Sequence, residues 1–387
     1  METDHVPPDK FDLDCDAGIF LMSSIGDGVF EGCANGFGLN ICTERKTGGM
    51  HYQAHLFRED DRFPFKDVSV SGDAQHIDDL VAALVSWIDS SCRETVENYA
   101  EEVLHIPTPN GRLAYWTYNT HLDSTPVIFI HGGPGGDSNP VKARRLHLHN
   151  PVYLYDQMGC GLSDPIADLA SWTAEDYARE LDLFIRTLGF EKVILIGASW
   201  GSGLSVAYAG LHGCGSIAAM VLPSPFLSTE LWTEDMYLNL EEMEPGLADR
   251  TRVLISRRDF GDDFIRILGR YNSRYLFNRK ENLPIAVGSA SMEPPEVFRV
   301  LNGPNDMCCD GTLKDFDVTD VLPEIDVPVL LMCADSDEVR MERLLEYHRA
   351  IKGSRVSIVP HAGHVLASEQ FDSYRAAIQA FFRENGL

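Results

Sequence analysis

Residues 193–203 read Val-Ile-Leu-Ile-Gly-Ala-Ser-Trp-Gly-Ser-Gly, an apolar run that ends in Gly-x-Ser-x-Gly and passes into small residues. A serine on a glycine-flanked turn between a strand and a helix has its hydroxyl lifted clear of the sheet. That hydroxyl is a poor nucleophile until a base takes its proton, and the base needs an acid to fix its tautomer. Downstream of Ser199, Asp335 and Asp337 follow one apolar run, and His361 and His364 follow the next. An acid and a base can be drawn from these four. Upstream, His131-Gly132-Gly133-Pro134-Gly135-Gly136 follows a third apolar run. Its unhindered backbone N–H groups suit an oxyanion forming on an attacked carbonyl, with the N–H of Trp200 as a second donor. The same glycines lack the Lys-Ser/Thr of a phosphate loop and the spacing of a dinucleotide fingerprint.

Positioning these groups requires a sheet. Strand patterns at 113–118, 127–130, 152–155, 193–196, 218–222, 329–332 and 356–359 are short and mostly apolar, as strands covered on both faces must be. Helical patterns alternate with them: 173–188 turns Tyr177, Leu181, Phe184 and Leu188 to one side, and 368–382 does so with Phe371, Tyr374, Ile378 and Phe381. The alternation predicts a mostly parallel α/β sheet with serine, acid and base at strand ends, in the chain order of an α/β-hydrolase. Between 226 and 311 the alternation stops, and a charged, aromatic, helical stretch predicts a cap inserted between core segments 105–225 and 312–387. Its Phe226, Trp232, Tyr237, Tyr271, Tyr275 and Phe277 either line a pocket or pack the cap itself. Residues 1–104 hold a large share of the negative charge and read as a small separate N-terminal α+β domain of unknown role. In it, 17–42 is dense in glycine, 51–57 and 68–70 are strand patterns, 77–88 is a helix pattern, and 90–104 reads as a linker.

Four segments together resemble the proline iminopeptidase (prolyl aminopeptidase) family of α/β-hydrolases over about residues 106–387: His131 to Gly136, Asp156-Gln157-Met158-Gly159-Cys160-Gly161-Leu162-Ser163, Gly197 to Ser202, and Leu301-Asn302-Gly303-Pro304-Asn305. The resemblance implies Ser199 as nucleophile, Asp337 as acid and His364 as base, with the N–H groups of Gly133 and Trp200 as the oxyanion hole. The family motif sets the acid before a glutamate and the base before an aliphatic residue, which favours Asp337-Glu338 over Asp335 and His364-Val365 over His361. It further implies that carboxylates bind the substrate's free amino terminus. Glu338 matches the first of these. Asp306 stands where the family usually has glutamate, and Phe298 where an aromatic, commonly tyrosine, is found. The substrate pocket keeps its charge and changes its reach.

The rest of the composition sets bounds. The chain has 387 residues, 44% of them hydrophobic, enough for one large core or two smaller ones. A formal charge of −27 repels phosphate backbones and anionic lipid, so neither nucleic acid nor membrane is an expected partner. Nine cysteines without CxxC spacing fit reduced thiols, and acidic residues stand where a secretory signal carries basic ones, so a cytoplasmic location is expected. His51 and His55 lack the glutamate of a zinc motif, and no metal or cofactor is expected. The resulting expectation is a serine aminopeptidase or amidase that cleaves proline or a small residue from a small peptide or amino-acid amide. The alternatives are an aminoacyl transferase or other biosynthetic tailoring enzyme, in which another amine or hydroxyl replaces water, and a non-catalytic binding protein on the same scaffold. The oligomeric state is not legible.

Overall fold

The computed structural model describes residues 103–138, 140, 143, 146–278 and 295–387 in full and, before them, Leu84 and the backbone of six strands. Those strands are β1 (Lys10–Cys15), β2 (Gly18–Gly26), β3 (Val29–Ala34), β4 (Phe37–Lys46), β5 (Gly49–Arg58) and β6 (Val68–Ala74), paired antiparallel in chain order. The patterns at 51–57 and 68–70 fall in β5 and β6. The glycine-dense stretch forms β2, β3 and most of β4, where no strand was expected. Apart from Leu84, which is helical and buried, the helix pattern at 77–88 lies outside the described residues.

Glu102–Glu281 and Glu293–Leu387 belong to a second compact unit. Its sheet has eight strands in the order β14-β13-β12-β11-β9-β10-β8-β7. They are β7 (Leu104–Thr108), β8 (Gly111–Tyr118), β9 (Val127–Ile130), β10 (Val152–Tyr155), β11 (Val193–Gly197), β12 (Ile217–Pro223), β13 (Val329–Ala334) and β14 (Arg355–Val359). From β10 to β14 all pairs are parallel, and only the pairs β10–β8 and β8–β7 are antiparallel. β7 corrects the linker expectation at its end: Leu104 begins a strand. Its pattern is short and contains Pro107, which an edge strand tolerates.

Burial explains the composition of these strands. β11 and β13 are buried at every position because helices cover both faces. Helices α1 (Ala174–Thr187) and α2 (Trp200–His212) bury Tyr177, Phe184, Leu204 and Tyr208 in one layer. On the other face, α8 (Leu366–Glu369) and α9 (Phe371–Asn385) bury Leu366, Tyr374, Ile378 and Phe381. Between β12 and β13 the chain forms α3 (Thr229–Met243), α4 (Leu247–Ser256), α5 (Asp262–Tyr271), a π-helical turn at Asn272–Leu276, and α6 (Glu296–Leu301). This insertion has a core of its own, with Leu240, Phe264, Ile267 and Tyr271 at its centre. Its two ends are stapled together: Thr229 N–H donates to Phe316 O, and Val318 N–H to Leu227 O, both at 2.9 Å. Helix α7 (Met341–Ala350) follows β13.

Candidate active site

Ser199 occupies the turn between β11 and α2 with φ 55° and ψ −119°, a sparsely populated conformation for a non-glycine residue, costing about 1–3 kcal/mol. Neighbouring hydrogen bonds hold it there. Ser199 N–H donates to Pro223 O at 2.9 Å, and Ser199 O accepts from Ser202 N–H at 2.9 Å and Phe226 N–H at 3.3 Å. The turn closes against β9 only because Gly201 is bare: a Cβ there would lie 2.2 Å from Ile130 O.

His364 follows β14. Its Nδ1 lies 2.8 Å from Asp337 Oδ1, and the two side chains are 11% and 0% exposed. The other oxygen of Asp337 accepts from Ser224 Oγ at 2.6 Å and from Ala334 N–H at 3.0 Å, which leaves the carboxylate fully engaged. Asp335 has a different task. It is exposed and accepts from His361 N–H at 2.9 Å and Ala362 N–H at 3.3 Å, closing the turn on which His361 is exposed and His364 points inward. The cap adds support: His364 N–H donates to Tyr275 O at 2.7 Å and Val365 N–H to Leu276 O at 3.2 Å, and Trp232 meets the imidazole edge to face at 5.3 Å.

The glycine loop after β9 is fixed by a chain of bonds that sequence reasoning did not isolate. His131 Nδ1 lies 3.0 Å from Gly132 O, while Nε2 accepts from Gln157 N–H at 3.0 Å, so the ring is neutral with its proton on Nδ1. Burial pushes its pKa down to match. Gln157 also donates to His131 O and accepts from Trp200 Nε1, both at 2.9 Å, which ties the loop to the serine turn. Asp156 accepts from Ser138 and Leu162 N–H groups, each at 2.7 Å. Gly133 has φ 118°. As the first residue of α2, Trp200 has an N–H that no intrahelical carbonyl can take. The loop also meets the cap closely, since a Cβ on Gly135 would lie 2.9 Å from Phe298 N.

Ser199, His364, Glu338, Asp306, Phe298 and Gly133 all line one cavity of about 410 Å³, together with Phe226 and Trp232. Tyr271 and Tyr275 instead pack the cap core, and Tyr237 packs against it. Glu338 is 6% exposed, with Oε2 3.7 Å from His364 Nδ1. Burial pushes its pKa up to about 7, assisted by Asp306 and Asp337 and opposed by His364. Burial raises Asp306 as well. For His364 burial works downward, but Asp337, Glu338 and Asp306 together outweigh it and hold the imidazole up to about 9. Among the described residues, no group of side chains could hold a metal ion, and no helix is long and apolar enough to cross a membrane.

Comparison with known proteins agrees with this architecture. Residues 125–370 match the α/β-hydrolase fold family. A proline iminopeptidase of Saccharolobus solfataricus is 30% identical over 277 residues, covering 69% of this chain and 87% of that protein. One from Heyndrickxia coagulans is 28% identical over 291 residues, covering 71% and 96%. Among solved structures, the proline iminopeptidase of Mycobacterium smegmatis shares the fold with a TM-score of 0.62 at 23% identity, covering 73% of this chain and 98% of its own. With the eight-stranded sheet, the serine turn and the inserted helices in place, the chain belongs to the proline iminopeptidase family of α/β-hydrolases.

Proposed function

We propose that the protein is a serine hydrolase that releases an N-terminal amino acid, proline or another small residue, from a peptide or amino-acid amide. Ser199 Oγ attacks the carbonyl carbon while His364 takes its proton, and the N–H groups of Gly133 and Trp200 hold the oxyanion. The C–N bond then breaks, the leaving amine takes the proton from His364, and an acyl-enzyme remains on Ser199. Water, deprotonated by His364, adds to that ester and frees the amino acid. Asp337 keeps the Nδ1 proton in place and balances the imidazolium. The substrate ammonium rests against Glu338 and Asp306, with Phe298 and Trp232 beside its side chain. The free thiols at Cys160, Cys214, Cys308, Cys309 and Cys333 support a reducing, cytoplasmic setting.

One observation carries this reading. Glu338 and Asp306 face one cavity beside the base, Asp137 lines it as well, and no lysine or arginine is among the described residues that line it. Among the described residues, the imidazole of His364 is the one cationic group beside Asp337, Glu338 and Asp306; desolvated carboxylates in excess of their cation are costly, and a bound ammonium supplies a second one. The test is hydrolysis of proline and alanine p-nitroanilides beside a des-amino analogue, with fluorophosphonate labelling. Turnover of the amino substrates, its loss by about 10⁴-fold or more in Ser199→Ala, and labelling at Ser199 are expected. Equal cleavage of the des-amino analogue would remove the ammonium site, and unchanged turnover in Ser199→Ala would remove the nucleophile.

A further inference from the structure

The cavity has a second end unlike the first. Its wall there is Phe129, Ala143, Leu146, Leu154, Ile196 and Leu366. All six lie in, or pack against, the core layer covered by α8 and α9. Interiors are normally filled to crystal-like density, so an open space here withholds contacts that its walls would otherwise make. Besides Asp137 of the loop, two hydroxyls interrupt the apolar lining. Tyr374 is 5% exposed and lines the cavity, and nothing among the described residues hydrogen-bonds its OH. Ser138, 7% exposed, leaves its Oγ without a partner. An apolar hollow with unpaired buried hydroxyls matches a ligand with an apolar body and one or two polar atoms.

We infer that this chamber is the leaving-group subsite and takes a bulky apolar amine, such as the phenylalanine or leucine that follows the scissile bond, with Tyr374 donating to an acceptor on it. The inference rests on the aminopeptidase reading. With the ammonium at Glu338 and Asp306 and the acyl carbon at Ser199, the amino-acid side chain fills the Phe298 and Trp232 end. What remains to enter the chamber is the part beyond the bond that breaks. At about 410 Å³ the whole cavity is of a size that holds a drug-sized molecule, which leaves room for both.

The test varies one side of the bond at a time. Prolyl amides of glycine, leucine and phenylalanine amide should show kcat/KM rising by about tenfold or more with apolar size. Ala143→Phe, which fills the chamber, should collapse that ratio toward unity while the preference for proline over alanine on a fixed glycinamide persists. Leu146→Ala should shift the optimum toward larger leaving groups. Tyr374→Phe should weaken prolyl-phenylalaninamide more than prolyl-phenethylamide, which lacks the acceptor. A flat leaving-group series with the free-amine requirement intact overturns the chamber assignment alone, as does an Ala143→Phe enzyme altered in acyl preference instead. Indifference to the α-amino group overturns the aminopeptidase reading, and the subsite falls with it.

Discussion

The imidazole of His364 stands among three acidic side chains, and this crowding sets the pH behaviour. In the proposed mechanism only the neutral ring takes the proton of Ser199, and Asp337, Glu338 and Asp306 hold its pKa up to about 9 against burial. kcat/KM should therefore rise with pH through the titration of His364, until deprotonation of the substrate amine turns it down. A bound ammonium offsets the charge of Glu338 and Asp306, so the rising limb of kcat should lie at lower pH than that of kcat/KM. Glu338→Gln removes one of the raising charges. It should move the limb of kcat/KM downward in pH and raise KM by about tenfold or more, the worth of one charge-assisted contact; identical profiles for variant and parent would contradict the placement of that charge. Ser199 was legible because its signal is local: five residues and their flanks specify the turn. The choice of Asp337 over Asp335 needed the family pattern, because both follow the same strand and only their hydrogen bonds separate them. Ser224 left no local signal, and the segment holding Gln157 did not disclose its bonds, since their partners lie 113 and 26 to 43 residues away.

Among the elements, the serine turn is the most demanding. Gly201→Ala would drive a methyl group to within 2.2 Å of Ile130 O, and neither backbone can yield without moving β9 or α2. The variant should lose several kcal/mol, seen as a Tm drop of about 5 °C or more, and its activity should fall with it; a variant as stable and active as the parent would show that the turn can relax. Buried strands were read from sequence almost to the residue, because an apolar run bounded by polar turns has few other interpretations in an alternating chain. β7 was missed because five residues with a proline carry too little pattern. β2, β3 and β4 were missed for a related reason: glycine weakens strand propensity, and the pairing that makes these segments strands, as it makes β1 one, lies in their neighbours.

In the molecule's second unit, the cap is bound to the sheet by charge as well as by packing. Arg343 on α7 meets Asp235 on α3 at 3.3 Å and Glu234 at 2.5 Å, and Arg340 donates to Asn239 at 2.7 Å. Burial pushes Asp235 up to about 6 even with Arg343 beside it. Arg343→Ala leaves that carboxylate without its cation, so its folded pKa rises further above the unfolded value and stability falls as pH increases. The loss should be about 3 kcal/mol at pH 8 and smaller at pH 5, where Asp235 is protonated; thermal unfolding at the two pH values measures it, and a pH-independent loss would mean that the arginine acts by packing alone. None of this was legible, because surface-like arginines and aspartates become partners only once α3 folds over α7. A related tie concerns His364, whose backbone is fastened to Tyr275 and Leu276 of the cap. Swinging the cap outward would therefore dismantle the proton relay at the moment of opening. On the proposed mechanism, such an arrangement ties an assembled relay to a seated cap, so that a half-processed ester would meet stray nucleophiles with no base to activate them whenever the door is ajar.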